Sequence, residues 1–239
     1  MIDRSTSAAL EKIASRERDV AHAYEPGFVP ESSDVARPTH PIATSDPLSV
    51  VAPQGAYFLG ADESGNVAFS RDGAFTIAGG EVRGGDGRAA LGFTLGNRSA
   101  LVPLRIDPYD AALGRVSDAR IESDGTFGYT RTAIDPRSGA RRSERVVVGR
   151  LAVARLPAGT QPVRVDAVHV VPPNGVKAQI GVPADGTFAA LVPHARDLGA
   201  VDIVAGLAKM QEAYESFDAM RAARHARGSL DKTVMDLLK

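Results

Sequence analysis

Five histidines, His22, His40, His169, His194 and His225, are the first side chains to test for chemistry. Spaced at i and i+4, as in HExxH, a histidine pair would hold zinc with a glutamate as base. None is spaced that way or stands at ligand distance from an acidic cluster, so each reads as solvent-facing or singly bonded. Asp62, Glu63, Asp72, Asp124 and Asp185 could supply the two carboxylates of glycoside hydrolysis. All but Glu63 stand in or beside turns, where an aspartate bonds its own backbone. No G-x-S-x-G marks a nucleophilic serine. The run GGEVRGGDG, residues 79–87, is glycine-rich like calcium-binding repeats, but one imperfect copy cannot build stacked turns. It is no phosphate cradle either, since neither a helix nor Gly-Lys-Ser/Thr follows. RAARHAR, residues 221–227, is a local basic run that reads as a solvated or intersubunit helix face. These residues point away from an enzyme, and no catalytic, cofactor or metal site is expected.

The composition agrees. Net charge is −1, which gives no general pull toward nucleic acid or anionic membrane. Aromatic residues are 5% with no Trp, thin for stacking on sugars or bases. There is no cysteine, so disulfides, thiolate metal sites and a thiol nucleophile are excluded. No apolar run approaches the roughly 20 residues needed to span a bilayer as a helix. The opening MIDRSTSAALEKIASRERDV has no apolar core of a cleaved signal. That suits a cytoplasmic protein, and equally a substrate exported uncut.

Around these residues the chain falls into four regimes. Residues 1–25 form an N-terminal helix, with Asp3 as its cap and an apolar seam of Leu10, Ile13, Val20 and Tyr24. Residues 26–50 carry Pro26, Pro30, Pro38, Pro41 and Pro47 and read as an extended linker, or a strand laid along another surface. Residues 51–195 are β territory: short apolar runs separated by Gly, Asp and Asn. Expected strands include 56–60, 66–70, 101–106, 119–122, 126–130, 145–155, 163–170 and 187–192. Asp-Gly recurs at Asp72–Gly73, Asp86–Gly87, Asp124–Gly125 and Asp185–Gly186, which predicts tight antiparallel hairpins. Residues 196–239 turn helical again, with Ile203, Leu207, Met210, Tyr214 and Phe217 stepping by four and three. Gly228 is expected to interrupt that helix. The fold class is mainly β with terminal α-helices, a hairpin-rich β-sandwich or irregular barrel between coiled-coil-like ends.

Several segments resemble the axial proteins of the bacterial flagellum, specifically the basal-body rod proteins. ESGNVAFSRDGAFTIAGGEVRGGDGRAALGF, residues 63–93, is similar to the family's hairpin segment, with Phe69, Ser70, Arg71, Asp72, Gly73, Phe75, Asp86, Gly87, Leu91 and Gly92 in register. IESDGTFGY (121–129) and VGRLAVARLP (148–157) resemble later strands of that family. VDIVAGLAKMQEAYESF (201–217) resembles its closing helix through Val201, Val204, Leu207, Met210, Ala213, Tyr214 and Glu215. The likeness runs in order over residues 55–220. It departs at DVAHAYEPGF, residues 19–28, which keeps only Asp19–Val20 and Gly27–Phe28 of an Asn-rich signature.

The resemblance implies a subunit of a hollow shaft that transmits torque in the basal body. Its partners would be its own copies, other rod and hook proteins and the flagellar export apparatus. Nucleic acid, membrane insertion and a small-molecule substrate are not expected. Independently of the likeness, two thin apolar seams paired only with each other are marginal in water. The nine seam residues Leu10, Ile13, Val20, Tyr24, Ile203, Leu207, Met210, Tyr214 and Phe217 are therefore expected to form an assembly interface. The competing expectation is a secreted or envelope β-sandwich binding module, adhesin-like, whose helices merely oligomerise it.

Overall fold

The computed structural model describes every residue except 1–3, 26, 29, 32–40, 114, 135–138, 198, 200 and 238–239. Asp3, Pro26, Pro38 and His40 thus lie outside the described residues. The chain divides into two compact units: one of Met1–Tyr24, Pro30–Arg37 and Ala200–Lys239, the other of Glu25–Val29 and Pro38–Gly199.

The first unit is helical. Helix α1 is Arg4–Ala21. The C-terminal helix, the third in the chain, is Ile203–Leu237. It begins later than residue 196 because Asp202 caps it, accepting the Ala205 N–H at 3.0 Å on its carboxylate. It also runs straight through Gly228, correcting the expected interruption. A helical glycine costs only about 1 kcal/mol, and Thr233 Oγ1 bonds the Ser229 carbonyl at 3.0 Å just beyond it.

The second unit is β-rich. Its first strands are β1 (Pro41–Ala43), β2 (Val50–Val51), β3 (Ala56–Ala61), β4 (Val67–Ser70), β5 (Thr76–Ala78) and β6 (Glu81–Arg83). There follow β7 (Ala89–Thr94), β8 (Asn97–Pro103), the short helix α2 (Pro108–Ala112), β9 (Val116–Ile121), β10 (Thr126–Ile134) and β11 (Arg141–Leu151). The last are β12 (Val153–Arg155), β13 (Val163–Arg164), β14 (His169–Val171), β15 (Gln179–Gly181), β16 (Val192–Pro193) and β17 (Ala195–Asp197), after which comes α3 (Ile203–Leu237). Every described pairing is antiparallel. The main sheet runs β13-β14-β4-β3-β7-β11-β10-β9, with branches at β3 and β7. Strands at those branches are buried on both faces. Phe58 and Ala90 point into a core with Phe75, Phe127 and Tyr129, while their neighbours Leu59 and Leu91 join Phe69, Phe93 and Val170 on the other side.

Local chemistry accounts for the turns. Gly79 and Gly80, at φ +60° and +80°, form the two-residue link between β5 and β6. Asp86–Gly87 and Asp124–Gly125 close the β6–β7 and β9–β10 hairpins. Asp72–Gly73 and Asp185–Gly186 close none, because the strands on either side of each do not pair. The expected strand 163–170 is a hairpin instead: Asp166 accepts the N–H groups of Val168 and His169 at 3.0 and 2.9 Å and turns the chain. Residues 187–191 are likewise not strand, since Asp185 accepts the Thr187 and Phe188 N–H groups at 2.9 and 3.0 Å. Residues 41–51 carry β1 and β2, which lie against β17 and β16.

Candidate functional site

Two places concentrate the residues singled out by sequence. The first is the helical unit. α1 and α3 pack antiparallel, since Val20 meets Gly206, Glu17 accepts the Tyr214 hydroxyl, and Thr6 lies beside Phe217 and Met220. A Cβ on Gly206 would stand 2.9 Å from a Val20 methyl, so that glycine permits the close approach. Ala213, one heptad on, is buried as well. The apolar stripe meets this contact line through Val20, Tyr214 and Phe217 and is only partly covered by it. Of its members Ile13 is buried, while Val20, Ile203, Met210 and Phe217 are half-buried. Leu10, Tyr24, Leu207 and Tyr214 are 43%, 67%, 46% and 42% exposed, and the adjacent Val204 is 79% exposed. The small residues Gly206 and Ala213 form part of the seam, which a period of large apolar side chains does not show. Beyond Met220 every side chain of residues 221–230 is exposed, including the basic run. No helix among the described residues is long and apolar enough to cross a membrane.

The second place is the Phe-Ser-Arg-Asp-Gly-Ala-Phe segment of the β unit. Phe69 and Phe75 enter opposite cores, and Phe75 meets Phe58 edge-on at 5.3 Å. Between them the chain forms a polar knot. Arg71 Nε donates to Asp197 at 3.1 Å and its Nη1 to the Ala56 carbonyl at 2.8 Å. The two side chains are only 8% and 1% exposed, so this charge pair is shielded from water. Asp72 accepts the Ala74 N–H at 2.9 Å, while its own N–H donates to Ser70 Oγ at 3.0 Å. Burial pushes the Asp72 carboxyl above its ordinary value, and the charge of Asp86 adds to the rise. Gly73 has ordinary φ, yet a Cβ there would fall 1.8 Å from the Val50 carbonyl oxygen. Its glycine is required by close approach of β2.

The segment also lines a cavity of about 260 Å³, floored by Phe58 and Phe75 and rimmed by Asp72, Asp86 and His169. The His169 ring is held between two carboxylates: Nδ1 lies 2.8 Å from Asp166 and Nε2 lies 2.8 Å from Asp86. Both ring nitrogens are therefore engaged, and the residue bridges two turns. Sequence spacing could not have found this trio, since Asp86 and His169 come together only through the β14–β4–β3–β7 order.

The remaining carboxylates stay local. Asp62, Asp124 and Asp185 each accept a backbone N–H from two residues on, at 2.9 Å. Glu63 is exposed. A further buried polar pair lies at α2, where Tyr129 donates its hydroxyl to Asp110 at 2.7 Å. Burial first, then that bond, pushes the Tyr129 hydroxyl up to about 12. His194 is exposed in left-handed backbone at φ +53°, and His225 is exposed on α3. Among the described residues no three His, Asp or Glu side chains gather as a metal would require.

No protein-family model matches the chain, and no curated protein matches it.

Proposed function

We propose that the chain is a structural subunit of the flagellar rod class, assembling through its terminal helices into a hollow shaft that transmits torque. The observation that carries this reading is the exposed apolar set Val204, Leu207 and Tyr214 on α3, with Leu10 on α1 and Tyr24 just past its end. Apolar surface of this kind gains about 25 cal/mol per Å² when covered. The equivalent helices of neighbouring copies, wound as coiled coils, are the covering that the repeat spacing suits. The ordered resemblance over residues 55–220 supports the assignment to the rod. Within its most specific segment, residues 63–93, the stretch Phe69–Phe75 makes internal bonds of the β unit, which suits a framework role.

The experiment is sedimentation and negative-stain imaging of purified full-length chain at rising concentration, beside a variant lacking 1–24 and 200–239. The rod reading expects polymers from the first and a folded monomer from the second. Full-length chain that remains monomeric at high concentration, with Leu207 and Tyr214 still solvent-exposed, refutes it. Truncated chain that keeps a ligand-binding activity of the full chain would favour the envelope binding module.

A further inference from the structure

The two routes by which the chain enters and leaves the β unit meet at one turn. β1 pairs with β17 so that Pro41 faces Asp197 and Ala43 faces Ala195, and the ladder continues inward as β2 with β16. Pro41 is where the incoming chain joins the ladder, and Asp197 is where the outgoing chain leaves it. Tension between the chain ends therefore opens this ladder from Pro41–Asp197 inward, one pair at a time. A ladder loaded in that direction is weak, because each hydrogen bond takes the whole force in its turn, whereas shear would load them together.

The mouth of the ladder carries reinforcement. Arg71 grips Asp197 at 3.1 Å and is itself tied to the Ala56 carbonyl of β3, a central strand. Its neighbour Asp72 seats the incoming segment: Gly27, at φ +76°, approaches so closely that a Cβ would lie 2.4 Å from the Asp72 nitrogen. Phe28 beside it is 1% exposed, with the Arg164 guanidinium 4.8 Å above its ring. A buried ion pair is weak evidence of net stabilisation, since desolvation offsets attraction. Its position where the outgoing strand leaves the β unit, beside the seat of the incoming segment, calls for another explanation.

We propose that the Ser70–Gly73 turn is a mechanical catch: Arg71 holds the outgoing strand, Asp72 seats the incoming Gly27–Phe28, and tension on the chain ends stops there before it reaches the core. The catch belongs to the β unit alone and holds whichever functional reading is right.

The test is force spectroscopy on the full chain tethered by its two ends, with amide exchange as a second readout. In the double variant Arg71→Met/Asp197→Leu, the first rupture of the β unit, which follows the parting of α1 from α3, should move to lower force while the other ruptures keep theirs. Amide exchange at Ile42 and Arg196 should quicken roughly tenfold, with Phe58 and Phe127 unchanged. Phe28→Ala, which leaves the ion pair intact, should lower the first rupture in the same way and decides the matter if the double variant does not fold. An unaltered first rupture in the variant overturns the proposal. So does equal acceleration of exchange throughout the β unit, which would make these residues general stabilisers.

Discussion

Gly73 and Gly87 stand in the same dipeptide, and alanine should damage the first far more than the second, for different reasons. Gly73 needs no unusual backbone angle, but an added Cβ would stand 1.8 Å from the Val50 oxygen and 2.8 Å from the Phe58 ring. A comfortable C···O approach is about 3.3 Å, so β2 must retreat by roughly 1.5 Å. That retreat breaks the Val50 N–H bond to the Gly73 carbonyl, 3.0 Å long, and loosens Val50, which is fully buried. Overpacking costs about 1–3 kcal/mol and the lost bond about 1 kcal/mol. Gly73→Ala should therefore cost about 2–4 kcal/mol, a large share of a typical 5–15 kcal/mol. Gly87 sits at φ +83° with nothing within 4 Å of its would-be Cβ. Gly87→Ala should cost only its backbone strain, about 1–2 kcal/mol. Urea unfolding followed by circular dichroism measures both, with unchanged slope and shifted midpoints. If Gly87→Ala proves the more damaging, close approach is not what fixes Gly73.

Three other outcomes follow from the same geometry. Tyr129→Phe removes the buried bond to Asp110, leaving that carboxylate with Arg131 at 3.6 Å, and should cost about 1–3 kcal/mol by thermal unfolding. Because the folded Tyr129 hydroxyl titrates near 12, above its unfolded value, its stabilising contribution is intact below about pH 10 and fades as pH climbs toward 12; ultraviolet difference titration should find that tyrosine silent until then. The Asp62 carboxyl is held below its ordinary value by the Asn66 side chain first and the Asn66 N–H second. Asn66→Ala should bring it back up in an NMR titration, and an unmoved Asp62 would count against that bond. On the helical unit, Gly206→Ala should be near neutral, since helix propensity offsets a tight contact with Val20. Gly206→Leu should instead drive α1 off α3, seen as lost protection of the Ile13 amide.

The sequence was most legible where local chemistry and structure coincide. The β-rich class, the antiparallel hairpins and both terminal helices can be read from turn dipeptides and period, and the turn aspartates bond backbone as their type suggests. What escaped was set by other forces. The Val163–Val170 run has the β-branched composition of a single strand, but the Asp166 side chain competes for backbone N–H groups and folds it back. α2 is too short for an apolar period to mark it, although Asp107 and Pro108 announce a helix cap and first position; Asp107 accepts the Tyr109 N–H at 2.8 Å. The helix seam joins Gly206 and Ala213 to larger neighbours such as Val20, because packing at close range selects small residues that an apolar period does not mark. The Arg71–Asp197 grip joins residues 126 apart, a separation that no spacing rule reaches.

The unequal lengths of the two helices, 35 residues against 18, carry α3 on past the start of α1, where Thr6 lies beside Phe217, Arg221 and Arg224. That stretch offers Arg221, Arg224 and Arg227, three trypsin sites in a row, next to a glycine that eases local unwinding. A free chain would thus be trimmed there first, while one whose α3 is wrapped by neighbours would keep its tail. Digestion time at this spot becomes a clock for whether a given molecule has found its company.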